Sequence, residues 1–175
     1  MLKPGDPAPT FDLPCTIDGR IARSSLAKID SELVLIFFYP RDFSFICPTE
    51  VTGFNRALKE FIAEQTSVLG ASTDDAESHL RWATELGGIS YPLLADGDGS
   101  LARSYGVFDE KENAALRATF ILDRKRTVVF SSSCPFNVGR SISETLRIAR
   151  ALRTGQLCPA DWTPGAETGP IERKF

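Results

Sequence analysis

"SELVLIFFYPRDFSFICPTEVTGFNRALKEFIAEQTSVLGAST", residues 31–73, is the stretch on which the fold turns. It opens with "SELVLIFFYP" (31–40), a short continuous apolar run ended by Pro40, the pattern of a strand buried on both faces. After a loop, "PTEVTGFNRALKEFIAEQ" (48–65) spaces Val51, Phe54, Leu58, Phe61 and Ile62 as one helical stripe. "TSVLGAST" (66–73) then forms a second buried strand. A strand, a helix and a strand follow one another, with the loop between the first two carrying Cys47.

The same alternation continues outward. "DDAESHLRWATELGG" (74–88) is a helix opened by acids and closed by glycine. A loop containing "YPLLADGDGS" (91–100) leads to a short helix, "SLARSYGV" (100–107). "RATFILD" (117–123) and "TVVFSSS" (127–133) are strands joined by a turn around Arg124 to Arg126. "SISETLRIARALRTG" (141–155) is the last helix, with Ser141 and Glu144 as a capping-box pair and Gly155 as its stop. From Gln156 onward Pro, Gly and charge dominate. The expected organisation is an α/β domain over 1–155, a mixed sheet covered by helices in three layers, followed by an extended arm over 156–175.

The 175 residues fit one domain, and 42% apolar residues with 12 phenylalanines supply a core without metal or disulfide staples. Net charge is −3, pI is near 5.3, and no basic run or basic helix face stands out, which argues against a nucleic-acid partner. The start lacks a charged segment followed by an apolar one, and the longest apolar run, "LVLIFF" (33–38), is too short to span a bilayer. A soluble, cytoplasmic protein without membrane association is expected. Cys15, Cys47, Cys134 and Cys158 form no C-x-x-C pair and meet a single histidine, His79, so a zinc site is not expected. In a reducing compartment the four are read as thiols.

Pro48 suits the first position of a helix, where its missing N–H is no loss. Cys47 then stands at the N-cap or within the first turn, where unpaired N–H groups and the positive end of the helix dipole favour thiolate over thiol. Ser44, three residues earlier, lies within hydrogen-bond reach of the sulfur or of an oxygen substrate. Space-filling by Cys47 and helix capping by Ser44 are the plainer alternative.

At this point the chain resembles the peroxiredoxins. Their active-site pattern Pro-x-x-x-Thr/Ser-x-x-Cys is filled by Pro40, Ser44 and Cys47. "GDPAPTFDL", "YPLLADGDGSLARSYGV", "RATFILD", "VGRSISETLR" and "GQLCPADWTPG" follow in family order, from about residue 3 to about residue 165. The subgroup most similar is that of the typical two-cysteine enzymes, which includes the alkyl hydroperoxide reductase C subunit.

The resemblance implies a thioredoxin-like fold and a thiol-dependent peroxidase needing no metal or cofactor. By the same token Cys47 is the nucleophile on hydrogen peroxide or alkyl hydroperoxides and becomes a sulfenic acid. Pro40 shields the site, Ser44 hydrogen-bonds the peroxide, and Arg117 holds the thiolate and polarises the peroxide. Glu50 and Arg140 support that arginine. Cys158 is the resolving cysteine, reaching a partner subunit from its arm, with Trp162 and Pro164 as anchors. A homodimer or a decameric ring is implied, reduced by thioredoxin, a flavoprotein disulfide reductase or another dithiol.

Cys15 and Cys134 stand outside that pair, as structural thiols or, for Cys134, an auxiliary redox site. His79 reads as a surface or packing residue, and Trp82 as a neighbour of the pocket. A holdase-type oligomer, a one-cysteine peroxiredoxin, a thioredoxin-type oxidoreductase and a non-catalytic scaffold are the alternatives. "GGIS" (87–90) keeps only part of the motif of peroxide-sensitive relatives, and "GPIERKF" (169–175) lacks their Tyr-Phe helix, so resistance to overoxidation is expected.

Overall fold

The computed structural model of the chain describes residues 1–171, so the end of the "GPIERKF" segment and of the arm lies outside the described residues. Nine strands and five α-helices follow in the order β1 (Asp12–Ile17), β2 (Arg20–Ser25), β3 (Leu33–Phe38), α1 (Cys47–Arg56), α2 (Leu58–Ala63), β4 (Thr66–Ser72), α3 (Ala76–Glu85), β5 (Leu93–Ala95), α4 (Ser100–Ser104), β6 (Phe108–Asp109), β7 (Ala114–Ala115), β8 (Arg117–Leu122), β9 (Val128–Cys134) and α5 (Ile142–Thr154). Seven strands form one mixed sheet, ordered β2-β1-β5-β4-β3-β8-β9, and β6 and β7 pair separately. Strands β3, β4 and β5 are parallel to their neighbours among themselves; β8 and β9 extend the sheet antiparallel from β3.

Strand β3 is buried along its whole length. Val34, Ile36 and Phe38 face a core shared with Phe11, α4 and Tyr105, whereas Leu35, Phe37 and Tyr39 face one shared with α1, α2, α3 and α5. This is the period-2 alternation of a strand covered on both sides. Where α1 meets α5 the backbones come close: a Cβ at Gly53 would lie 2.9 Å from Ile142 Cγ1. That approach brings the segment before α5 against the start of α1.

Several expectations are corrected. The single helix read over 48–65 is two, α1 and α2, parted at Ala57, whose ψ of 1° leaves the helical region. No Gly or Pro marks the break, so the apolar spacing carries no sign of it. Ile62, placed on the apolar stripe, is 60% exposed. The loop containing "YPLLADGDGS" holds a central strand, β5, which only three residues reveal. The hairpin β1–β2 is an addition to the expected elements; its turn, Asp18-Gly19, has φ of 48° and 71°, the two left-handed residues of a tight hairpin.

At α5 the Ser141 hydroxyl caps the Glu144 N–H at 3.2 Å and Gly155 closes the helix at φ 62°. The Glu144 carboxylate does not complete the capping box; it pairs with Arg147 at 2.6 Å. Beyond Gly155 the described residues, to 171, form no helix and curl back through a bridge between Leu157 and Gly169. No helix among the described residues is long and apolar enough to cross a membrane.

Candidate active site

The site lies at the C-terminal end of β3, where the chain leaves the sheet to enter α1. Cys47 is the first helical residue and Pro48 the second, one step later in the helix than Pro48 was expected, and Ile46 before them supplies no side-chain cap. The Cys47 side chain is completely buried. Arg117, at the start of β8, donates from Nη1 to the Cys47 sulfur at 3.3 Å and to Glu50 Oε2 at 2.8 Å. Its Nε is fixed on the Phe136 carbonyl at 2.9 Å, so the guanidinium is aimed before any substrate arrives.

Glu50, one turn into α1, is 2% exposed. Its other oxygen takes the Arg140 N–H at 2.9 Å and Nε at 3.0 Å, and Arg140 Nη2 lies 3.3 Å from Oε2. Arg140 also donates from Nη1 to the Ala118 carbonyl at 2.9 Å and from Nη2 to the Phe38 carbonyl at 2.5 Å. It thereby ties β3, β8 and α1 together around the sulfur. Two buried arginines facing one carboxylate leave a unit of positive charge in excess beside Cys47, an arrangement suited to an anion there. Tyr91, whose hydroxyl donates to the Val51 carbonyl at 2.8 Å, supports the same helix turn, and burial pushes its phenol well up.

Pro40 is buried at the base of the loop, and Ser44 is half-buried. The Ser44 hydroxyl donates to the Arg41 carbonyl at 3.2 Å, so Arg117 is the donor that the structure sets on the sulfur. Cys47, Glu50, Arg117 and Arg140 are thus brought into direct contact, with Pro40 and Ser44 in the adjoining loop.

Cys158 is elsewhere. Its sulfur lies 3.4 Å from Thr154 Oγ1 and 3.8 Å from the Ala151 carbonyl, at the C-terminal end of α5. Arg140 precedes the other end, and a helix of 13 residues is roughly 20 Å long. Trp162 is buried on its own subunit, its indole N–H on the Ala166 carbonyl at 3.2 Å. Cys134 is half-buried and sits opposite Arg117 in the β8–β9 register, hence on the same face of the sheet. Cys15 is buried in β1, and burial raises its thiol despite the Arg23 charge nearby.

His79 is not a surface residue. It is wholly buried, with Nδ1 2.9 Å from Asp42 Oδ2 and Nε2 3.1 Å from the Leu94 carbonyl. Asp42 and the Phe38 and Phe136 carbonyls went unnoticed in the sequence; backbone acceptors leave no residue signature, and a lone Asp in a loop is unremarkable.

Residues 4–131 match the AhpC/TSA family. Peroxiredoxin prdx-2 of Caenorhabditis elegans is 41% identical over 94% of this chain and 87% of its own. The putative peroxiredoxin YkuU of Bacillus subtilis is 39% identical over 94% and 96%. The chain belongs to the AhpC/TSA family of peroxiredoxins.

As a peroxiredoxin it is an enzyme, a thiol-dependent peroxidase. Reduced Plasmodium vivax 2-Cys peroxiredoxin superposes with a TM-score of 0.89 at 30% identity, covering 96% of this chain and 93% of that one. Enterococcus faecalis AhpC gives 0.85 at 31% identity, covering 91% and 100%. The thioredoxin-like sheet flanked by helices is the shared fold.

Proposed function

We propose that this peroxiredoxin reduces hydrogen peroxide and alkyl hydroperoxides by a two-thiol cycle, with Cys47 as the attacking sulfur and Cys158 of the partner subunit as the resolving one. The observation that carries the proposal is the Arg117 Nη1 contact at 3.3 Å with a sulfur that is wholly buried. The thiolate displaces along the O–O axis: an S–O bond forms, the O–O bond breaks, and the leaving oxygen departs as water or an alcohol after taking a proton. Arg117 supplies donors for charge moving onto the peroxide oxygens, and the Ser44 hydroxyl turns from the Arg41 carbonyl to the bound peroxide. Pro40 keeps bulk water from the sulfur.

The sulfenic acid then condenses with a thiol, releasing water and forming a disulfide. A thiol carried on a protein chain cannot reach a wholly buried sulfur in place as a small peroxide does, so the first turn of α1 unwinds. The absence of a side-chain cap at Ile46 suits this, since a good cap would add about 1 kcal/mol to that turn. Within one chain Cys158 sits at the far end of α5, which favours a thiol from a second subunit in a homodimer, alone or in a decameric ring. An external dithiol reduces the exposed disulfide; thioredoxin, a flavoprotein disulfide reductase and a small dithiol all have the chemistry. A reducing cytoplasm suits four free thiols.

The test is peroxide consumption with each reductant in turn, together with a non-reducing gel. Cys47→Ser abolishes consumption. Wild type treated with mild peroxide runs as a disulfide-linked dimer, and Cys158→Ser runs as a monomer. A wild-type monomer band under these conditions rejects the intersubunit step.

A further inference from the structure

The segment between Pro40 and α1 is held unevenly. Asp42 is 5% exposed, and its carboxylate accepts from Tyr39 Oη at 3.0 Å and from Ser78 Oγ at 2.9 Å, in addition to facing His79 Nδ1. Its own N–H donates to Asp74 Oδ2 at 2.9 Å, which also takes the Ser72 hydroxyl at 2.6 Å. Through His79 Nε2 and the Leu94 carbonyl the same ladder reaches β5. The loop base is therefore fastened to β3, β4, α3 and β5 at one buried carboxylate.

One residue further on the fastening stops. Phe43 has φ 51° and is 52% exposed, and Phe45 is 94% exposed. Ser44 bonds back to Arg41, and α1 begins without a side-chain cap. The sulfur of the buried Cys47 takes a single donor, from Arg117, and the next buried charged anchor is Glu50, held by both arginines.

We propose that Asp42 and His79 form the fixed end of the segment that unwinds, so that His79 is a positioning residue for the reaction. This rests on the two-thiol reading above. Pulling Asp42 out of its ladder would take from the Tyr39 and Ser78 hydroxyls and from His79 Nδ1 the acceptor they share, and a buried polar group left without its partner is costly. Unwinding of the first turn of α1 therefore spreads back to Phe43 and halts at Asp42. The movable stretch is 43–49, tethered at both ends.

The tether sets a reach. Cys47 is three residues from Glu50, so its Cα stays within about 10 Å of the Glu50 Cα even when the turn is fully extended. The second thiol must come to that place. The latch also sets the balance between a folded loop, in which Cys47 meets peroxide under Arg117, and an unwound one, in which it meets the other sulfur. Weakening the latch shifts that balance toward the unwound loop.

Amide exchange by NMR on the reduced protein, without peroxide, tests the hinge directly. In wild type the amides of 43–49 exchange fast and those of Tyr39 and Asp42 slowly. In His79→Leu protection at Tyr39 and Asp42 falls about tenfold or more relative to β8, and His79→Gln, which keeps one donor, recovers part of it. Single-turnover kinetics give the second readout. In His79→Leu the peroxide-consuming step slows about tenfold while disulfide formation does not, with His79→Gln between.

Unchanged protection at Asp42 in His79→Leu, or equal slowing of both steps, overturns the proposal. Should His79→Leu not fold, Ser78→Ala decides by the same measure: it removes one donor from Asp42 and leaves the packing, so loss of protection at Asp42 supports the latch and unchanged protection overturns it. The exchange readout involves no peroxide. A wild type that consumes none would overturn the two-thiol reading while the hinge result still stands.

Discussion

Arg117 joins the two halves of the site at a single side chain. Its guanidinium touches both the sulfur and the carboxylate that orients it, and the Phe136 carbonyl holds it from behind. Arg117→Met keeps much of the bulk and removes every donor. Because removal of one preorganised donor costs roughly 10²–10³ in rate, the rate constant of Cys47 with hydrogen peroxide should fall by at least that factor in stopped flow. A loss below tenfold would show that the contact does not assist the displacement. Cys15 offers the contrasting case. Burial raises its thiol and no donor is set on it, so iodoacetamide at mildly alkaline pH should leave Cys15 unmodified in the folded protein, and peptide mapping reads this out.

Among the elements, α4 reports on pH. Asp96 is buried at the end of β5, and its carboxylate takes the Leu101 N–H at 2.9 Å and the Ala102 N–H at 2.8 Å. Burial pushes it up from 3.8, and those two amides offset only part of the rise. The folded protein therefore holds this proton more tightly than the unfolded chain. Its contribution to stability is largest below the ordinary carboxylate range and declines as pH rises through the raised value. Urea denaturation across mildly acidic pH should show this decline as a difference between wild type and Asp96→Asn, whose curve lacks it; identical pH slopes would reject it.

What the sequence discloses divides at the same scale. Strand β3 is plain because burial on both faces leaves an unbroken apolar run. β5 is hidden because three residues between Pro92 and Asp96 carry no period, and only its neighbours in the sheet make it a strand. Cys47 and Pro48 announce a helix start by local chemistry, but nothing local joins Glu50 to Arg140, 90 residues away, or Asp42 to His79. Those contacts exist only once the sheet has brought α1, α3 and the segment before α5 to one end. The resemblance to a family supplied roles for Glu50 and Arg140; it had nothing to say of His79, which the fold alone removes from the surface.

At the scale of the whole molecule, charge is sorted by depth. The pairs of Arg103 with Glu110 and Arg150 with Glu60 lie at the surface, whereas Arg117, Arg140 and Glu50 are enclosed, with side-chain exposures of 4%, 5% and 2%. Mobile ions screen the first kind within about 8 Å at physiological ionic strength and do not enter the second. Peroxides are uncharged, so no long-range field guides them inward. The excess positive charge around Cys47 is therefore a private one. Raising salt from about 0.05 M to about 0.5 M should leave the rate of the first peroxide step within a factor of two, while a charged reductant docking on the outside slows markedly. An enzyme built this way would keep its chemical step constant, and only a step made by docking of a charged partner on its surface would follow the ionic conditions around it.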